Sequence, residues 1–187
     1  MGKRSHFIRK PRDFYPTPYK AVLPLLPHLA PRTRFAEPCV GDGALVRHLE
    51  HHGHTCSWGS DIEDRSAPAV VSGVEVIRKF PVADALTLTT TLRQADCIIT
   101  NPPFSKEILF PLIEHLSSQN STWLLLPADF MHNVGSAPFL VYCQHIISIG
   151  RVSWEENGVS GKDNHCWYHF DQNYEGPPAT EFFGRQV

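Results

Sequence analysis

The chain has 187 residues, 42% of them hydrophobic and 19% charged, with a formal net charge of −2. That balance suits one globular domain with a sizeable core, and it carries no overall nucleic-acid signal. There is no signal peptide and no apolar run of membrane length, and the five cysteines are odd in number, scattered and without a C-x-x-C pair; the reading is a reduced, soluble, cytoplasmic protein without disulfides, structural zinc or membrane contact, a monomer or weak dimer.

In chain order, residues 1–12 form a basic arm: Lys3, Arg4, Arg9, Lys10 and Arg12, with Lys20 beyond, face Asp13 alone. The arm either contacts phosphates or is a solvated terminus. Phe14 to Pro18 is a stiff turn, and Tyr19 to Leu29 is a short helix interrupted by prolines. Thr33 to Glu37 is predicted as the first strand, Pro38 to Gly43 as a glycine turn, and Ala44 to His52 as a helix stopped by Gly53. Thr55 to Ser60 is the second strand, ending at Asp61. Asp64 to Gly73 reads as a loop or poor helix, Val74 to Ile77 as the third strand, and Ala85 to Gln94 as a weak helix rich in threonine. His51, His52 and His54 lack ligand partners at metal spacing and suit a solvated helix end.

Asp96 to Thr100 is the fourth strand. Ser105 caps a helix carrying Ile108, Leu112 and Leu116, which Pro111 kinks or restarts. Ser121 to Leu126 is the fifth strand, Ala137 to Gln144 a helix, and His145 to Val152 and Cys166 to Phe170 the last two strands, an antiparallel pair at one edge. Residues 171–187 form a polar tail. The alternation predicts an α/β fold: a single Rossmann-like domain over 13–170, its sheet mostly parallel with an antiparallel last strand and helices on both faces.

Two turns carry the chemistry. Asn101-Pro102-Pro103-Phe104 follows the fourth strand, at the strand ends where open α/β sheets bind ligands. Its prolines supply no N–H, Asn101 adds a carbonyl acceptor, and Phe104 adds a flat apolar face. Such a corner grips a planar group carrying an NH2. Glu37-Pro38-Cys39-Val40-Gly41-Asp42-Gly43 is not a dinucleotide fingerprint, since position 46 is Val46, and it has no phosphate-binding lysine. A nucleoside cofactor without pyrophosphate fits better. Asp61, twenty residues after Gly41, is placed to accept ribose hydroxyls. Asp84-Ala85 either reaches the edge of the cofactor's adenine or caps the next helix.

In this order the motifs resemble the amino-group DNA methyltransferases that use S-adenosylmethionine, especially small phage-type adenine-N6 enzymes with an N-P-P-F motif. Phe14 to Pro18 resembles their N-terminal cofactor motif, Glu37 to Gly43 their glycine motif, Asp61-Ile62 their ribose and adenine position, and Asn101 to Phe104 their catalytic motif. Gly161 to Tyr168 resembles the segment entering the last strand of the small phage enzymes. The resemblance implies a seven-stranded sheet and S-adenosylmethionine as cofactor, held by Tyr15, Thr17, Glu37, Pro38, Gly41, Gly43, Asp61, Ile62, Asp84 and Ala85. It implies a flipped adenine stacked on Phe104, with its N6 hydrogens accepted by Asn101 and the Pro102 carbonyl. Lys162, Asn164 and Trp167, with Trp154, are expected to shape the target pocket, Trp167 being equally well suited to the core. The expected partner is DNA, with RNA possible. No separate recognition domain fits after the fifth strand, so target choice falls to loops at Met131 to Pro138 and Ser153 to Asn164. N4-cytosine methylation, methylation of a protein glutamine, or binding without turnover are the rival readings.

Overall fold

The apolar run Cys97–Thr100 is buried at all four positions and lies in the interior of a seven-stranded sheet. The computed structural model describes residues 14–66, 68–71, 74–154, 161, 163–176 and 180–184. The basic arm and Lys162 lie outside them. In chain order the strands are β1 (Arg34–Glu37), β2 (Thr55–Gly59), β3 (Pro68–Val71), β4 (Val74–Ile77), β5 (Cys97–Thr100), β6 (Thr122–Pro127), β7 (Cys143–Arg151), β8 (Asn164–Phe170) and β9 (Glu181–Phe183). The α-helices are α1 (Tyr19–Val22), α2 (Ala44–His51), α3 (Thr90–Arg93), α4 (Lys106–Gln119) and α5 (Ala137–Leu140).

The main sheet runs β2-β1-β5-β6-β8-β7-β9. β2, β1, β5 and β6 pair in parallel, while β8 is antiparallel to both neighbours. Side chains alternate across it as a pleat requires. Phe35, Ile99, Leu125 and Trp167 face α1 and α2; Ala36, Ile98, Leu124 and Tyr168 face α4. Each fully buried leucine in these two layers contributes roughly 1.5–3 kcal/mol. The helical face of α2 is set by Leu45, Val46 and Leu49, all buried, and Gly53 follows at φ +84°.

Several expectations are corrected. Asp64 to Gly73 contains a strand: β3 pairs with β4 in a separate antiparallel ribbon, so β4 is a strand outside the main sheet. Its place at the sheet edge is taken by Val82, which makes one parallel bridge to Asp61. Pro81 there has no N–H, so the bridge does not lengthen into a ladder on that side. The polar tail supplies β9, which pairs in parallel with β7 and restores the count to seven. The last two predicted strands are not an edge pair, because β8 inserts between β6 and β7. β8 carries buried Cys166, Trp167, Tyr168 and Phe170, and such a run belongs inside a sheet. The helix expected over Ala137 to Gln144 is a single turn, since Cys143 and Gln144 already belong to β7. α4 also runs unbroken through Pro111. That proline removes only the bond to the carbonyl of exposed Glu107, which water can satisfy.

Candidate active site

β1 connects to β2 on one side through α2, while β5 lies on its other side, so the sheet changes direction of growth at β1. Ligands bind in the crevice outside the strand ends at such a point. Here a cleft of ≈ 360 Å³ opens, lined by Tyr15, Thr17, Glu37, Pro38, Gly41, Asp61, Ile62, Asp84, Ala85, Asn101 and Pro103. Of the expected cofactor residues only Gly43, which begins α2 at φ +80°, is absent from the lining.

Asn101 is held from behind. Its Nδ2 donates to the Tyr15 carbonyl at 3.0 Å and to Thr17 Oγ1 at 3.2 Å. A carbonyl only accepts, so the amide nitrogen must face Tyr15. The side-chain oxygen is thereby turned away from that partner. Thr17, itself buried, is fixed in turn by His48, whose Nε2 lies 3.1 Å from the Thr17 carbonyl.

Glu37 ends β1 and is 1% exposed. Its Oε1 accepts from the Cys39 amide at 3.2 Å and from the Thr100 hydroxyl, one residue before Asn101. Its Oε2 is buried without a hydrogen-bond partner among the described residues. Burial pushes the carboxyl up to about 8, against the opposing pull of Thr100 and Cys39. Asp61 Oδ2 accepts from the Gly41 amide at 2.9 Å, and Oδ1 accepts from the Glu63 amide at 3.1 Å. Gly41 needs its φ of +55°, and a Cβ there would stand 2.8 Å from the Phe14 ring. Asp84 caps the 3-10 turn Ala85–Thr87 through the Leu86 amide at 3.0 Å and also lines the cleft. Ile62, half exposed, lies on the same wall.

Pro102 is buried, and neither it nor Phe104 is among the residues lining this cleft. Phe104 belongs to a ring of aromatic groups: Trp154 at 6.4 Å and His165 at 6.1 Å, with Trp154 also 5.8 Å from Tyr15 and 5.0 Å from His165. A second hollow of ≈ 90 Å³ opens beside Phe104, Lys106, Asp129, Asn133 and Ser136. Trp167 is a core residue, fully buried, with its indole N–H donated to the Ala21 carbonyl at 2.7 Å. Asn164 is exposed at the start of β8 opposite Arg151.

Sequence reasoning missed several groups in this region. Arg65, Leu86, Glu107 and Ile108 line the cleft, as does Phe14 of the N-terminal motif. Thr100 and His48 act through hydrogen bonds to Glu37 and Thr17. Thr100 was findable as the hydroxyl flanking Asn101; Arg65 and His48 carry no motif.

A mostly parallel seven-stranded sheet with one antiparallel strand near its end, and a cleft at its switch point, is the Rossmann-like methyltransferase fold. A Pyrococcus horikoshii protein assigned as an RNA methyltransferase superposes with a TM-score of 0.60 at 13% identity, covering 91% of each chain. A type I restriction-modification methyltransferase subunit from Streptococcus thermophilus gives 0.56 at 11% identity, over 91% of this chain and 47% of that one. A dimethyladenosine transferase from Plasmodium falciparum gives 0.51 at 17% identity, over 84% of this chain and 62% of that one. The chain thus spans about half the length of the type I subunit. No protein-family model and no curated protein sequence matches the chain.

Proposed function

We propose that this protein transfers a methyl group from S-adenosylmethionine to the exocyclic N6 of adenine in DNA, with the base flipped out and with target choice left to loops. The observation that carries the reading is the orientation of Asn101: with Nδ2 committed to Tyr15 and Thr17, Oδ1 is the atom left to accept from a substrate amine. The resemblance of the ordered motifs and the likeness in fold to type I modification subunits support it.

The donor groups of the cleft fit this cofactor. The unpartnered, buried oxygen of Glu37 suits the ammonium of its methionine end, and the Gly41 turn lets backbone approach closely. Asp61 suits the ribose, and Ile62 gives an apolar face for adenine. S-adenosylmethionine supplies an electrophilic methyl group when bound. Asn101 Oδ1 and the Pro102 carbonyl accept the two N6 hydrogens, which draws the nitrogen lone pair out of the ring. Phe104 and the aromatic groups around it stack the extruded base. No base is needed before attack, because the methylated ammonium is itself acidic, and positioning supplies much of the rate. The basic arm contributes phosphate contacts.

Adenine in RNA is the second reading, favoured by the superposition with the Pyrococcus protein over nearly all of both chains. Methyl transfer from labelled S-adenosylmethionine to DNA, RNA and protein, side by side, tests both. Digestion of the labelled polymer to nucleosides then separates N6-methyladenine from N4-methylcytosine. Label in protein alone overturns the nucleic-acid reading, and label in none overturns the enzyme.

A further inference from the structure

Four residues from three separate segments close a ring of contacts at the cleft. The Phe14 ring packs on the Gly41 turn, within 2.8 Å of where a Cβ would stand. The Arg65 guanidinium carbon lies 4.5 Å over the centroid of that ring. Arg65 Nε is 3.6 Å from Asp61 Oδ1, and Arg65 Nη2 is 2.6 Å from a Glu63 carboxylate oxygen. Asp61 Oδ2 returns to the Gly41 amide at 2.9 Å. Phe14, Gly41, Asp61 and Arg65 all line the cleft, with Ile62 between the last two.

The ring changes what Asp61 can do alone. A carboxylate offers about four lone-pair sites. Oδ1 serves the Glu63 amide and faces Arg65, and Oδ2 serves the Gly41 amide. The Arg65 contact at 3.6 Å is an ion pair beyond hydrogen-bond distance, so about two sites remain for a ribose, and one of them lies beside Arg65. Arg65, only 17% exposed, is therefore placed to adjust as a ribose enters, and its planar cation already covers an aromatic face that reaches the glycine turn.

We infer that Phe14 and Arg65 are further cofactor-binding residues, a clasp that closes over the nucleoside end of S-adenosylmethionine beside Asp61 and Ile62. This rests on the cofactor reading above. The clasp also ties cofactor to catalysis, because Phe14 directly precedes the Tyr15 to Thr17 segment that holds Asn101.

The test is a double-mutant cycle on the full chain, with S-adenosylhomocysteine and adenosine as titrated ligands and the melting temperature of each free variant measured alongside. Phe14→Ala and Arg65→Ala each raise the Kd for both ligands about tenfold, and the double variant is no weaker than the poorer single one, because either change opens the same clasp. Arg65→Lys, which keeps the charge but not the planar stack, falls between. Unchanged Kd values overturn the clasp, as do losses that multiply in the double variant, or losses matched by collapse of the free protein's melting temperature. Failure of the wild-type chain to bind S-adenosylhomocysteine overturns the cofactor reading and the clasp with it, which separates the two failures.

Discussion

The side-chain amide of Asn101 donates to the backbone carbonyl of Tyr15 at 3.0 Å, across 86 positions of sequence. A proline-bounded segment without regular structure thereby sets the rotamer of the candidate catalytic side chain. Asn101→Ala is expected to lower kcat on the order of 10²–10³-fold, the usual cost of removing one preorganised polar contact at a reacting centre. Cofactor affinity stays within a factor of two. Steady-state rates and calorimetric titration of the same preparation check both halves.

His48 reaches that asparagine through Thr17. Its Nε2 must carry the hydrogen, since the Thr17 carbonyl can only accept. His48→Ala should cost about 1 kcal/mol of positioning, roughly a five- to tenfold fall in kcat. His48→Gln, which keeps an N–H donor, should recover most of it with KM unchanged. Equal loss in both variants would assign His48 to packing against Tyr19 instead, whose ring lies 5.3 Å away.

Glu37 gives a proton signature. With its carboxyl raised to about 8 by burial, the protonated form is favoured at pH 7 in the free protein. An ammonium brought against Oε2 favours the carboxylate, so binding of S-adenosylhomocysteine at pH 7 should release up to one proton. Titration calorimetry in buffers of different ionisation enthalpy reads this number, and Glu37→Gln removes it. The linked effect on the free chain has the same origin. A carboxyl raised on folding adds stability that is complete below its ordinary value of 4.5 and is lost as pH climbs through about 8.

A second titration lies away from the cleft, beside Trp123 at the start of β6. His169 Nδ1 is 2.9 Å from His145 Nδ1, His169 Nε2 is 2.6 Å from Ser121 Oγ, and His145 Nε2 is 3.4 Å from a Glu181 carboxylate oxygen. Both rings are satisfied when neutral: Ser121 donates to His169, His169 donates to His145, and His145 donates to Glu181. A proton added at the shared position sets two N–H groups against each other. Burial first, and His145 second, push His169 down to about 3. A histidine depressed on folding adds stability that is complete above its ordinary value of 6.5 and is lost as pH falls towards 3. The Glu37 linkage runs the other way between about 8 and 4.5, so the two oppose each other there. In a Glu37→Gln background, unfolding free energies between pH 6.5 and 4 should decline with a slope of up to about 1.4 kcal/mol per pH unit, and adding His169→Phe should flatten that slope.

Local pattern made most of the cleft legible. β1, the glycine turn, α2, β2 and β5 each announce themselves by apolar period and turn residues, and they carry Glu37, Gly41, Asp61 and Asn101 to one edge. Sheet membership was less visible. Val74–Ile77 has the composition of a strand, but composition does not say which strand it pairs with, and β3 supplied an adjacent partner. Glu181–Phe183 is three residues long and pairs with β7 more than thirty positions back, a link that no periodicity encodes. Trp167 shows the same limit at one residue. Its place in a motif suggested the target pocket, while the alternation along β8 turned it into the core. Arg65 is legible only once folding brings it over Phe14.

The tail strand bears on how this molecule behaves in company. β9 pairs with His145, Ile146 and Ile147 at the outer margin of a nine-residue strand. An uncovered strand margin is a template on which a second chain can lengthen the sheet. Shortening the protein to end before Glu181 would lay that margin bare, so the shortened chain should self-associate as concentration rises while keeping its cleft. At three residues β9 is too short an edge to serve as a good template itself, and it withholds part of the longer margin of β7.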